Sequence, residues 1–353
     1  MNPQPGNTTP ASLPPTRMFT EAAEAADAIA HMLSRNAAVI DRLAVRLRAA
    51  PPPFVVTCAR GSSDHAATFA KYVIETQLGV VTASASPSVA SLYATTPRLV
   101  GALYLAISQS GRSPDLLRSA RAARDAGACV VAMVNAEDSP LAAAAEIVIP
   151  LHAGIESSVA ATKSYVCALA AILHLAAHWK RDTTLEHAVN TLPELLHAAW
   201  RVDWSALSEG LAEARNLFVL GRGLGFGVAL EAALKLKETC GIHAEAFSTA
   251  EVRHGPMALV GPGFPVLVFA QQDESLASTL ELAAEFRGRG AHVWIAAPEG
   301  DGQGHLAVPA AVHSACTPIA EIVSFYRAAN ALALRRGYNP DVPPHLQKVT
   351  ETL

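Results

Sequence analysis

FVLGRGLGFGVALEAALKLKETCGIHAEAFSTAEVRHGPM, residues 218–257, decides how the rest of the chain is read. Phe218 to Leu220 form an apolar run of strand type. Gly221, Gly223, Gly225 and Gly227 follow at alternate positions, and a helical run then carries Glu231, Lys235 and Glu238. Their i, i+4, i+7 spacing places them on one helix face. Lys237 falls off that face. His254 follows in a loop closed by Gly255 and Pro256. A strand turning through glycines into a helix is the building unit of an α/β sheet. By default such a charged triplet is a solvated, salt-bridged face, and a loop histidine is a surface group. The same residues would also serve as an acid, a lysine and a histidine around one catalytic turn.

The strand-helix alternation extends outward from this stretch. Met18 to Ala50 is alanine-rich with apolar residues at helical spacing, which predicts one or two helices ended by Pro51-Pro52-Pro53. FVVTCA is a buried strand, and RGSSDHAATFAKYVIE is a turn feeding a helix. LYLAISQSGRSPDLLRSARAARDAG reads as strand, polar turn and helix. CVVAMVN and AEIVIPL are further strands, and ESSVAATKSYVCALAAILHLAAHW is a polar turn before a long helix. The pattern then recurs. An offset of 162 residues carries Arg60-Gly61 onto Arg222-Gly223 and Leu103–Ser110 onto Pro265–Gln272; one residue further, GACVVAMV at Gly127 falls on GAHVWIAA at Gly290. Such spacing is the mark of an internal duplication. The fold class expected is α/β, with two similar domains, each a mostly parallel sheet flanked by helices. Residues 1–17 are expected to be a disordered tail and 18–182 N-terminal helices plus the first domain. A connecting helix is expected over 183–204, the second domain over 205–338 and a C-terminal tail over 339–353.

The 353 residues suffice for two cores, with 51% hydrophobic and 16% charged residues. Formal net charge is −4 and the isoelectric point about 6.3, which speaks against a nucleic-acid partner. Cys58, Cys129, Cys167, Cys240 and Cys316 are scattered with no CxxC pair, so neither a disulfide framework nor a zinc site is indicated, and a reducing cytoplasm fits. The N-terminus lacks the apolar core of a signal peptide. No stretch reaches the roughly 18 apolar residues of a membrane span; Tyr165–Trp179 is short and reads as a buried core helix. His174 and His178 form HxxxH without an acidic partner, which does not make a metal site.

The most informative turn of the first half is Ser108-Gln109-Ser110-Gly111-Arg112-Ser113-Pro114. It follows a buried strand and precedes a helix whose first turn holds Pro114. Hydroxyls, backbone N–H groups and a helix N-terminus converge there, as an anionic phosphate requires. Serines also cap helices with no ligand involved. Ser62-Ser63 after the first strand, and Ser157-Ser158 before a later helix, point toward phosphate in the same way. In parallel sheets such turns gather at the carboxyl ends of the strands. A nucleotide loop of the GxxxxGK[ST] type is absent, and Phe226 occupies the last position of a would-be GxGxxG.

These segments resemble the sugar isomerase (SIS) domain proteins, with two SIS domains in tandem. The match is to GSSDHAA at Gly61, ISQSGRSPD at Ile107, ESSVAATK at Glu156, GRG…ALEAALKLKE…IHAEAF…RHGPMAL from Gly221 to Leu259, and HLQKVTE at His345. The chain is most similar to the isomerase half of glutamine:fructose-6-phosphate amidotransferases. Two departures stand out. Asn2 stands where those enzymes carry the cysteine nucleophile of a glutaminase domain, and Arg112-Ser113 replaces the usual Glu-Thr of their serine loop. This form looks like the stand-alone deaminase/isomerases that degrade amino-sugar phosphates, with no glutamine-dependent synthesis expected.

The resemblance implies a role for each matching position. Ser108, Gln109, Ser110 and Ser113 would hold the sugar phosphate. Ser62 and Ser63 would contact the sugar, and the Val159 backbone its hydroxyl or amino end. Glu238 would move a proton between C1 and C2, supported by Lys235. His254 would assist ring opening, reaching in from the partner of a homodimer. Lys348, in a tail closing over the site, would contact the open-chain sugar or form an imine with it. The expected reaction is glucosamine 6-phosphate plus water to fructose 6-phosphate plus ammonia, with no metal or redox cofactor. The alternatives are a ketose/aldose 6-phosphate isomerase, a fructosamine-phosphate deglycase, or a non-catalytic sugar-phosphate-binding regulator.

Overall fold

The computed structural model describes residues 15–300 and 302–348. Most of the tail expected over 1–17, and residues 349–353 of the closing tail, lie outside the described residues. Arg17 does not belong to a tail. It opens helix α1 (Arg17–Ala23), because Thr16 caps the helix by accepting from the Phe19 N–H at 3.1 Å. The Asp341 carboxylate accepts from the Arg17 and Met18 N–H groups at 2.8 and 2.7 Å. Helix α2 (Ala25–Ala49) follows.

The first repeat runs β1 (Val55–Cys58), α3 (Ser62–Leu78), β2 (Thr82–Ser84), α4 (Pro87–Ser91) and β3 (Leu103–Ser108). It continues through α5 (Pro114–Asp125), β4 (Cys129–Val134), α6 (Pro140–Ala144), β5 (Ile147–Pro150) and α7 (Lys163–Lys180). Two helices, α8 (Thr183–Asn190) and α9 (Leu192–Ala199), occupy the segment expected as one connecting helix. Pro193 sits in the first turn of α9, a place it tolerates, whereas inside a continuous helix it would remove a hydrogen bond and clash. The second repeat runs α10 (Ser205–Gly210), β6 (Asn216–Gly221), α11 (Leu224–Cys240), β7 (His243–Ser248) and β8 (Pro265–Phe269). It ends with α12 (Leu276–Gly288), β9 (His292–Ala297), β10 (His305–Ala307) and α13 (Thr317–Arg335).

Among the described residues the strands form two five-stranded parallel sheets, ordered β2-β1-β3-β4-β5 and β10-β9-β8-β6-β7. Each strand of the first sheet has its counterpart at the same place in the second, which is the three-dimensional form of the sequence repeat. Strands β1 and β3 are buried along their whole length, and β4 along nearly all of it, as expected where helices cover both faces. Helix α7 is buried almost all round, in keeping with its continuous apolar sequence. No helix among the described residues is long and apolar enough to cross a membrane.

Three glycines shape the centre. Gly61 and Gly223 cap α3 and α11 with φ of 55° and 56°, a conformation that L side chains rarely adopt. Gly227 lets α3 and α11 touch: a Cβ there would lie 2.7 Å from the His65 carbonyl oxygen. The contact brings the charged face of α11 beside the strand ends of the first sheet. In that sheet the chain leaves β1 in one direction for β2 and in the other for β3, so a crevice opens at the carboxyl ends of β1 and β3.

Candidate active site

The crevice is a cavity of about 350 Å³. Its walls at the strand ends are Ser62 and Ser63 after β1, with Ser108 at the end of β3 and Gln109, Ser110 and Ser113 after it. The Ser108 hydroxyl accepts from the Gly111 N–H at 3.0 Å, and that of Ser110 from the Arg112 N–H at 3.4 Å, which fixes the loop's shape. Ser113 is the N-cap residue of α5 but makes no side-chain capping bond. Its hydroxyl is therefore not spent on the helix, and the capping account of this serine does not hold. Arg60 and Asp115 tie the two turns together, Arg60 donating from Nε at 2.9 Å and lying 2.8 Å away through Nη2. Asp115 is buried while Arg60 lines the cavity. The Nε–Nη2 edge of the guanidinium is taken by the Asp115 carboxylate, and its other N–H groups remain beside the serines for a ligand. Neither residue stands among the sequence-predicted site residues, although Arg60 directly precedes Gly61-Ser62-Ser63 and Asp115 directly follows Ser113-Pro114.

Lys235 and Glu238 line the same cavity. The triplet on α11 is not a solvated face. Glu231 and Lys235 have side chains 0% and 1% exposed, and Glu238 20%. The Lys235 ammonium donates to Glu238 at 2.5 Å and lies 3.5 Å from Glu231. Glu231 also accepts from the Tyr326 hydroxyl at 3.1 Å and meets His65 Nδ1 at 2.9 Å. Burial pulls the Lys235 amine down, but the Glu231 and Glu238 carboxylates outweigh it and hold the group above the ordinary lysine value. An ammonium locked in this way fixes the carboxylate of Glu238 at the cavity wall. Lys237 points elsewhere and donates to the Ala244 carbonyl at 3.0 Å.

The third wall is the turn from Glu156 to Thr162 with the C-terminal tail folded against it. Here the structure corrects one expectation. Ser157-Ser158 does not offer its N–H groups or the Ser157 hydroxyl to a phosphate, because the chain's own Glu21 takes them, and the Ser158 hydroxyl is buried. The Glu21 carboxylate accepts from the Ser157 N–H at 2.6 Å, the Ser157 hydroxyl at 2.9 Å and the Ser158 N–H at 3.2 Å. Val159 does line the cavity, but its N–H already donates to the Asp341 carbonyl at 3.1 Å. Its backbone therefore has only an acceptor left for a sugar. Lys348 also lines the cavity and donates to Glu156 at 3.1 Å and to the Ser158 carbonyl at 2.7 Å.

His254 is the one candidate that the structure does not bring to this cavity. It ends a short 3-10 turn, Glu251–His254, is exposed, and precedes Gly255 at φ 140°. Of the HxxxH histidines, read in the sequence as lacking an acidic partner, His178 has one in Asp41, 2.6 Å from its Nδ1, whereas the buried His174 Nδ1 has no hydrogen-bond partner. Among the described residues no cluster of three or more His, Cys, Asp or Glu side chains could hold a metal.

Comparison with known proteins agrees with this architecture. The chain is 32% identical over 302 residues to the glutamine–fructose-6-phosphate aminotransferase [isomerizing] of Sulfurisphaera tokodaii, covering 83% of this chain and 49% of that protein. It thus spans about half the length of the curated relatives it matches. A solved structure from Silicibacter pomeroyi DSS-3, provisionally described as a phosphosugar isomerase, is 44% identical with a TM-score of 0.87, covering 92% of this chain and all of that one. The C-terminal domain of glucosamine-fructose-6-phosphate aminotransferase from Francisella tularensis shares the fold, with a TM-score of 0.82 at 24% identity over 96% of this chain and all of that one. A family model for the SIS domain matches residues 54–178 and 210–297, and the chain belongs to the SIS domain family.

Proposed function

We propose that the chain is a phosphosugar enzyme that opens a hexosamine 6-phosphate and moves a proton between C1 and C2. The carrying observation is the placement of the Glu238 carboxylate, held by Lys235 at 2.5 Å, in the same cavity as the Ser108–Ser113 turn. The turn and Arg60 anchor the phosphate, so that binding energy away from the reacting carbons positions C1 and C2 against Glu238. In the open-chain sugar, Glu238 takes the C2 proton as the C1 carbonyl oxygen gains one, giving an enolamine. The same carboxyl group returns a proton at C1, which leaves an imine at C2. Water adds to that imine and ammonia departs. The overall reaction is glucosamine 6-phosphate plus water to fructose 6-phosphate plus ammonia. A carboxylate suits the shuttle because it acts as base and then as its conjugate acid. Lys235 and Lys348 supply positive charge for the sugar oxygens.

Purified protein incubated with glucosamine 6-phosphate is expected to release ammonia and fructose 6-phosphate in equal amounts, measured by coupled enzymatic assays. Interconversion of sugar phosphates without ammonia would support a ketose/aldose isomerase instead. Binding without any product would support a sugar-phosphate-binding regulator.

The same reading assigns ring opening to His254 of a second copy. The exposure of His254, and of Leu259 at 67% nearby, supports this arrangement. Sedimentation at assay concentrations should then give a dimer; an active monomer rules the arrangement out.

A further inference from the structure

We propose that Glu156 is a positioning residue whose buried carboxylate holds the Lys348 ammonium, and with it the C-terminal tail, at the cavity. The proposal rests on the sugar-phosphate reading of the site above. Glu156 begins the ESSVAATK motif, yet no role fell to it in the sequence reading. Its side chain is 0% exposed. One carboxylate oxygen accepts from the Thr162 and Ser164 N–H groups at 3.0 and 3.1 Å. The other accepts from the Ser164 hydroxyl at 2.7 Å and from Lys348 Nζ at 3.1 Å. Thr162 and Ser164 belong to the N-terminus of α7, a rigid buried helix whose first turn favours an anion. Three of the four donors are thus fixed in place without the tail, and the fourth is a lysine that arrives from 192 residues away. That is a socket built to receive a cation. Burial alone would raise the Glu156 carboxyl, but Lys348, Thr162 and Ser164 together hold it below the ordinary glutamate value, so it is ionised.

The rest of the tail agrees with a docking function. Lys348 also donates to the Ser158 carbonyl, so two of its three ammonium donors are committed and one remains for the sugar. Some residues earlier, the Asp341 carbonyl accepts from Val159, and the Asp341 carboxylate caps α1. Glu21 of α1 in turn pins Ser157 and Ser158 from the other side. The loop that lines the sugar's path and the tail that crosses it are therefore one hydrogen-bonded unit. Glu156 is the member of that unit that carries the charge facing Lys348.

The test is Glu156→Gln in the full chain, which keeps the shape and removes the charge. Trypsin cleavage after Lys348, followed by intact mass, should be about tenfold faster, since cleavage tracks the population of the open tail. With glucosamine 6-phosphate, kcat should fall about 100-fold, the scale that a misplaced catalytic group costs, while KM changes far less. Cleavage at the wild-type rate overturns the proposal whatever the activity. Faster cleavage with wild-type kcat overturns the positioning role. If the wild-type protein turns over no sugar phosphate, the cleavage rate still decides whether Glu156 holds the tail, and only the functional reading fails. Should Glu156→Gln not fold, Lys348→Met carries the test: hydrogen exchange of the tail amides should rise about tenfold, and unchanged exchange overturns the proposal.

Discussion

Glu238→Gln is expected to remove turnover and leave binding and folding close to wild type. The amide keeps the size of the carboxylate but cannot take the C2 proton. Positioned acid-base groups contribute about 10²- to 10⁴-fold, so kcat should fall within or beyond that range. Binding should survive because the proposed phosphate contacts come from the Ser108–Ser113 turn and Arg60, which line the same cavity, and not from Glu238. The fold should survive because Glu238 is partly exposed, and Lys235 retains Glu231 when it loses Glu238 as an ionic partner. Ammonia release and calorimetric binding of glucosamine 6-phosphate together measure the split. Near-normal ammonia release would show that the base has been misassigned.

Lys235→Met should act on stability as well as on chemistry. Removing the ammonium leaves the fully buried Glu231 facing Tyr326 and His65 without its lysine. Breaking a buried pair by deleting one partner costs about 3–5 kcal/mol, because the remaining charge stays out of water. Urea unfolding should show that loss. The double variant Glu231→Gln/Lys235→Met should recover most of it, since a buried pair replaced as a whole is nearly neutral. A double variant as unstable as the single one would mean that packing, and not charge, sets the cost. Both Lys235 variants should also lose activity, because the ammonium that holds Glu238 is gone.

These two residues mark the limit of what was legible from sequence. Helical spacing placed Glu231, Lys235 and Glu238 on one face, and the structure keeps them there. Spacing alone favoured a solvated face, since charged triplets usually are solvated. Only the contact of α3 and α11 at Gly227, and the packing of α13 against α11, show that Glu231 and Lys235 are enclosed. The family resemblance gave Glu238, Lys235 and Lys348 their expected roles; spacing had picked out Lys235 and Glu238 without deciding between a solvated and a catalytic face, and it did not reach Lys348. Arg60 and Asp115 were both visible as letters beside the serine turns, but their pairing joins residues 55 positions apart.

The serine turns make the same point from the other direction. Ser62-Ser63, Ser108–Ser113 and Ser157-Ser158 look alike in sequence. The first two open on the cavity, and the third is filled by Glu21 from 136 residues away. A turn's donors follow from its local sequence, but whether they remain for a ligand depends on what the rest of the chain places against them.

The sequence by itself determined the repeated strand-turn-helix units, the internal duplication and the position of the glycine and serine turns. Each of these rests on local forces: apolar runs that must be buried, glycine at positive φ, and hydroxyls at helix starts. The tertiary structure decided which charges are buried, which turn stays open and where Lys348 docks. Those outcomes depend on desolvation and on partners supplied by distant segments, and no local pattern encodes them.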